Sequence, residues 1–118
     1  MKYMLLIYEP EGAYEGEAGQ KALMEVVAKH RKLGEELRAK NVAWGGAPLE
    51  PSSTATTVRT GKDGAQSLHD GPFAETREHL GGYYELDVKD LDEALYWARK
   101  IPVAPGGMVE VRPHANYG

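Results

Sequence analysis

Asp70-Gly71-Pro72-Phe73-Ala74-Glu75-Thr76-Arg77-Glu78-His79-Leu80-Gly81-Gly82-Tyr83-Tyr84 is the stretch from which the fold reads outward. It opens as a turn, because Pro72 fixes its own φ and pushes Gly71 out of the helical region. It then carries five charged or imidazole side chains and passes through a glycine pair into an aromatic strand. From Tyr83 to Val88 the residues alternate, with Tyr84, Leu86 and Val88 on one face and Tyr83, Glu85 and Asp87 on the other. That is the period of a strand. Upstream, Thr54 to Arg59 is rich in β-branched residues, Gly61-Lys62-Asp63-Gly64 is a turn, and Gln66 to His69 is again extended. Together these predict a hairpin.

The flanks supply the remaining elements. Tyr3-Met4-Leu5-Leu6-Ile7-Tyr8 is apolar on both alternating faces, as expected of a strand central in its sheet and covered on both sides. Glu9-Pro10-Glu11-Gly12 stops it, and a loop is expected to about Gly19. From there to Lys40, Leu23, Val26, Val27, His30, Leu33 and Leu37 recur at helical spacing, and Asn41 suits a left-handed cap. Val42-Ala43-Trp44 is a short strand closing at Gly45-Gly46, followed by a loop around Leu49. Asp90 with Glu93 forms a capping box for a second helix, whose buried stripe is Leu91, Ala94, Leu95, Ala98 and Ile101. Met108 to Arg112 is the last strand, ended by Pro113.

The order β-α-β-(hairpin)-β-α-β predicts one α+β domain over residues 1–118, ferredoxin-like βαββαβ with an inserted β-hairpin. Its helices would cover one sheet face only. The first strand is apolar on both, so a second subunit is expected against the bare face, as a homodimer. A monomer whose hairpin and loops fold over that face is the alternative.

Composition narrows the function classes. There is no cysteine, which excludes a disulfide scaffold, a thiolate metal site and a Cys nucleophile. The balance of 14 basic and 18 acidic residues gives −4, with no Lys/Arg run beyond two, so no nucleic-acid footprint is present. No apolar run has the length of a membrane span, and the N-terminus lacks a secretory pattern. A cytoplasmic protein is expected.

Asp70-Gly71-Pro72-Phe73-Ala74-Glu75-Thr76, followed by Leu80-Gly81-Gly82-Tyr83-Tyr84, resembles the DGPF-domain proteins within the YCII-related family. Lys2 to Tyr8, Gly45-Gly46-Ala47-Pro48-Leu49, Asp90-Leu91-Asp92-Glu93-Ala94 and Val109-Glu110-Val111-Arg112-Pro113 are similar to its other segments, so the resemblance spans the chain. It implies a dimeric α+β barrel, two subunits packed sheet to sheet. The wider group includes small enzymes that work without metal or organic cofactor, some with a His/Asp pair. Some relatives are joined to, or encoded beside, extracytoplasmic-function sigma factors, which implies such a factor as a candidate partner. The family's motif commonly has Lys where Arg77 stands and a polar residue other than His at His79, so the resemblance leaves that imidazole unexplained.

Several residues are candidates for chemistry. Asp70 emerges from a rigid turn, which suits a general base, although Asp also stabilises turns by bonding their amides. His30, on the sheet-facing stripe of the long helix, needs a polar partner. A carboxylate from the Asp70 turn, or Glu110, would make it an acid/base pair near neutral pH, and a core histidine satisfied by backbone or water is the alternative. Tyr83, Glu110 and Arg112 can share a sheet face. Arg112 would then hold a substrate carboxylate and Tyr83 would donate a hydroxyl, or Glu110 and Arg112 would form an ion pair between subunits. Phe73 and Glu75 lie in the motif beside a substrate pocket expected near the Asp70 turn, and Glu75 can equally cap that turn. His69 and His79 flank the motif. No two histidines have metal-ligand spacing, so neither metal nor cofactor is expected. The three Gly-Gly pairs read as bulges or close backbone contacts, not a phosphate loop. The leading expectation is cofactor-independent proton transfer, of lyase or isomerase type, on a small organic acid or phenol. A regulatory or protein-interaction module is the alternative.

Overall fold

The computed structural model describes residues 1–73 and 77–118. Its main sheet has four antiparallel strands in the order β2-β5-β1-β6, built from β1 (Lys2–Pro10), β2 (Ala43–Pro48), β5 (Glu78–Asp87) and β6 (Met108–Pro113). Two helices, α1 (Gly16–Ala39) and α2 (Leu91–Ala98), pack on one face, and β3 (Thr56–Thr60) with β4 (Gln66–Asp70) form a separate two-stranded hairpin. The architecture is α+β and compatible with the expected ferredoxin-like order. Its thinnest dimension is 19 Å, which fits one sheet and one helix layer.

β1 sits centrally, as its two-faced apolar run predicts. Every residue from Tyr3 to Tyr8 pairs with both β5 and β6. Tyr3, Leu5 and Ile7 point at the helices and are buried with Tyr84, Leu86, Leu33, Leu37, Ala94 and Trp97, while Leu5 has no exposed surface. On the predicted stripe of α1, Leu33 and Leu37 are buried, and Leu23, Val26 and His30 are partly so. Val27 lies at the solvent edge. Gly34, absent from the predicted stripe, is buried because the Trp44 ring packs on it, 3.1 Å from where a Cβ would stand.

The predicted caps form. Asn41 has φ 57°, with its N–H donating to Arg38 O at 3.0 Å and the Val42 N–H to Leu37 O at 3.0 Å. That is a Schellman ending. Asp90 accepts from the Glu93 N–H at 3.0 Å, and the Glu93 carboxylate reaches back to the Lys89 N–H at 3.0 Å. This box closes one residue before the position the motif usually uses.

Strand bounds differ from expectation at two glycine pairs; β1 also runs on to Pro10, and α1 begins at Gly16, inside the expected loop. β2 runs on through Gly45-Gly46 to Pro48, and β5 begins at Glu78, five residues before Tyr83. The backbones of β2 and β5 meet so closely at Gly46 (φ 145°) that a Cβ there would stand 2.2 Å from Tyr83 O. In β5, the register steps from Ile7↔Gly82 to Tyr8↔Leu80, leaving Gly81 as the extra residue of a β-bulge. The expected bulge and close backbone contact thus occur at Gly81 and Gly46, within strands that run longer than expected.

Gly46→Ala is expected to cost about 3 kcal/mol, the upper range of ordinary single substitutions. Gly45→Ala, with nothing within 4 Å of its new Cβ, is expected to be neutral or slightly stabilising. Urea unfolding of both variants measures the contrast; equal destabilisation would contradict the close approach at Gly46.

Candidate functional site

The sheet divides the predicted site residues between its two faces. Directly paired residues share a face, so the pairings Leu6↔Tyr83, Leu6↔Glu110 and Met4↔Arg112 put Tyr83, Glu110 and Arg112 together on the face away from the helices. Tyr83 is half-buried there, and Glu110 and Arg112 are exposed. No ion pair joins Glu110 to Arg112 among the described residues, and both sit on one strand, two residues apart. His30 lies on the opposite, helix-covered side.

Asp70 ends β4 on the hairpin and is exposed, as are Phe73 (73%) and His69. The Asp70 turn is pinned through its backbone. The Gly71 N–H donates to Ala55 O at 2.7 Å, and the Thr57 hydroxyl donates to Gly71 O at 2.9 Å. No hydrogen bond or ion pair joins Asp70 or Glu110 to His30 among the described residues. Glu75 lies outside the described residues. Open hollows occur at the hairpin tip, by Arg59, Asp63 and Gln66, and before α2, by Lys89, Asp90 and Glu93; neither is lined by Asp70 or His30.

The partner that His30 does find is Tyr84. The helical stripe carries the imidazole over β5, where Nδ1 lies 2.7 Å from the Tyr84 hydroxyl and the rings stack at 5.7 Å and 22°. Trp44, one strand over, packs on the other side of Tyr84 at 5.6 Å. Either tautomer of a neutral imidazole satisfies the contact. With the Tyr84 O–H donating, Nε2 carries the proton; with Nδ1–H donating, Nε2 is a free base. Nε2 has no protein partner among the described residues and is not sealed from solvent.

Glu9 stands at the end of β1. The Tyr14 hydroxyl and the Ala104 N–H (2.9 Å) both donate to its Oε2, so one carboxylate ties the loop before α1 to the loop before β6. Tyr14 is itself held in place: its backbone packs on Gly19, and the Gln20 amide donates to its carbonyl at 2.9 Å. Across the ladder from Glu9 is His79, whose Nε2 lies 3.6 Å from the Glu11 carboxylate and has no hydrogen-bond partner.

Burial sets the protonation of the cluster. It pushes the His30 imidazole below its ordinary 6.5, with the nearby Glu9 carboxylate pulling the other way. It pushes the Tyr84 hydroxyl up. Tyr14 is also well above the ordinary tyrosine range, through burial first, then its hydrogen bond to Glu9 and the charge of Glu9. At neutral pH the His30–Tyr84 pair is therefore a neutral imidazole and a protonated phenol, which can accept and return one proton. Among the described residues, no three His, Asp or Glu side chains gather as a metal-binding group. No described helix is long and apolar enough to cross a membrane.

Sequence reading picked out His30 but missed Tyr84, Glu9 and Tyr14. Tyr84 carried a signal: a tyrosine on the inward face of a strand needs a partner for its hydroxyl. Glu9 read as a strand stop, and nothing local joins it to Tyr14 or Ala104.

Because its folded-state value is depressed, His30 contributes stability in full above about pH 6.5. That contribution falls as the pH drops from there through the lowered value, since the unfolded chain takes the proton first. The His30 ring is expected to titrate below 6.5 by NMR, and His30→Gln should flatten the stability-versus-pH slope in that window. A midpoint at or above 6.5 would contradict this. Tyr84→Phe is expected to cost about 1 kcal/mol through the lost hydrogen bond, read by urea unfolding.

Comparison with known proteins shows the family. The chain is 38% identical over 122 residues to an uncharacterized protein of Rhizobium meliloti (strain 1021), covering 99% of this chain and 94% of that one. The model of the YCII-related domain matches residues 1–115, and the chain belongs to the YCII-related family.

Proposed function

We propose that this protein is a cofactor-independent acid/base catalyst of lyase or isomerase type acting on a small organic molecule, with its site between α1 and the sheet at His30. The observation that carries this reading is the half-buried imidazole, 2.7 Å from the Tyr84 hydroxyl and held neutral by burial. A neutral imidazole with one open nitrogen can take a proton from a bound molecule, and a protonated phenol at its other nitrogen fixes its orientation. His30 is the acid/base residue and Tyr84 orients it. Asp70 and Phe73 stand on the exposed hairpin, where they would act on a molecule only if it, or a second subunit, bridged the distance. Tyr83, Glu110 and Arg112 belong to the other sheet face.

That other face supports a homodimer. Met4, Leu6, Tyr8 and Tyr83 are only partly buried on it, and Leu80 and Met108 are 38% and 48% exposed. A second copy packed sheet to sheet would cover them and bring Glu110 and Arg112 near the partner's strands, in the self-complementary manner of a two-fold interface. Light scattering at micromolar concentration is expected to give twice the 13.0 kDa chain mass, and Leu6→Glu to give a monomer. A monomeric wild type would remove the dimer from this reading.

A second reading, a protein-interaction module, draws on the hairpin. Val58 and Leu68 pair across its strands at 58% and 77% exposure, near the exposed Phe73, as a docking patch would be. An extracytoplasmic-function sigma factor is the candidate partner under this reading.

Thermal melting against a panel of small phenols and carboxylates separates the two. Under the catalytic reading, at least one compound raises the wild-type melting temperature by several degrees, and His30→Gln and Tyr84→Phe abolish the rise. A rise that survives both variants would place binding elsewhere. No rise with any compound would favour the interaction module.

A further inference from the structure

The β3–β4 hairpin is an arm that the rest of the chain does not cover. Every residue of its two strands except Thr57 is exposed. The radius of gyration is 16.3 Å, against about 13.5 Å for a compact domain of this length. The molecule is only 19 Å thick, so the arm extends beside the main sheet and does not fold over its open face. Along the ribbon, the pairs Thr56↔Asp70, Val58↔Leu68 and Thr60↔Gln66 alternate with Thr57↔His69 and Arg59↔Ser67, so Val58, Leu68 and Asp70 share one face. A two-stranded ribbon needs a further surface against its apolar side to be stable in water.

The open face of the main sheet has a matching surface, at the end from which the arm departs. Tyr8 pairs with Leu80 on one side and with Met108 on the other, so Leu80, Tyr8 and Met108 form an apolar row across β5, β1 and β6. Arg112 lies on the same face, further along β6. Neither the Arg112 guanidinium nor the Asp70 carboxylate has a hydrogen-bond or ion-pair partner among the described residues. One chain thus carries an apolar face beside a free carboxylate and an apolar row beside a free guanidinium, and it does not bring them together.

We propose that the hairpin is an exchanged arm. In the homodimer it lays Val58 and Leu68 on the Leu80–Tyr8–Met108 row of the partner subunit and sets Asp70 against the partner's Arg112. This rests on the homodimer proposed above and deepens it, since each subunit then supplies its Asp70 turn to the other's open face. A two-fold axis makes the contact twice and covers both arms and both rows. A second copy already holds the apolar surface and the opposite charge that the arm lacks.

The chain has no cysteine, so introduced thiols report without background. Oxidised Leu68→Cys/Met108→Cys is expected to run on a non-reducing gel as a covalent dimer of twice the 13.0 kDa chain mass, and neither single variant is. Asp70→Asn and Arg112→Gln are each expected to raise the dimer dissociation constant about threefold, and together also about threefold rather than about ninefold, because both remove one contact. Neutral replacements are used because Glu110, on the Arg112 face, would attract a cation introduced at position 70. A disulfide within one chain would mean that each arm folds over its own sheet, and would overturn the exchange. So would a covalent dimer from either single variant, or fully multiplied costs in the double neutral variant. No disulfide in a protein that is still dimeric would overturn it as well, leaving the sheet-to-sheet dimer standing and the hairpin open to a foreign partner. A monomeric wild type would overturn both the exchange and the dimer.

Discussion

The double pairing of β1 is the constraint on which the rest of the structure depends. A strand hydrogen-bonded on both edges has no free backbone groups to solvate, so its side chains can be apolar on both faces. Leu5, with no exposed surface, marks the centre of that arrangement. β5 and β6 are held in register against β1, β2 is held against β5, and the two helices close over Tyr3, Leu5 and Ile7. The pairing is disturbed at the Gly81 bulge, and Glu9 lies just beyond that point.

The sheet also acts as a partition. Successive residues of a strand face opposite ways, so neighbours in sequence such as Tyr83 and Tyr84 serve different functions. Tyr84 is buried under α1 against His30, and Tyr83 lies half-buried on the open face with Glu110 and Arg112. Chemistry that combined Arg112 with His30 would have to pass through the sheet. The helix side offers the hydrogen-bonded His30–Tyr84 pair. The open side offers an apolar centre with charged residues along β6, which suits protein contact.

The hairpin that leads into the Asp70 turn stands apart from this scaffold. A two-stranded ribbon is marginal in water on its own, and here its two arms are closed at the base by the Gly71 N–H to Ala55 O bond. Further along, the Glu11 N–H donates to Arg77 O at 2.7 Å, so the chain returns to the main sheet beside Glu9. The exposed arm thus ends at the Asp70 turn, and the main sheet resumes with β5 at Glu78.

Strand and helix identities, the Asn41 ending, the Asp90–Glu93 box and the central place of β1 were all legible in the sequence, because each rests on periodicity or on a cap within a few residues. Gly46 and Gly81 were legible as special but not as strand. A glycine that lets two backbones meet looks, locally, the same as one that breaks a strand. The site was legible only in part. His30 stood out as a polar ring on an apolar stripe, but its partner depended on which strand residue lay beneath it. Spacing alone cannot choose between Tyr84, 54 positions away, and a carboxylate from the Asp70 turn or β6. Only the tertiary structure, through the register of β1 on β5 and the packing of α1 above them, decided that His30 meets Tyr84 and that Arg112 does not join them.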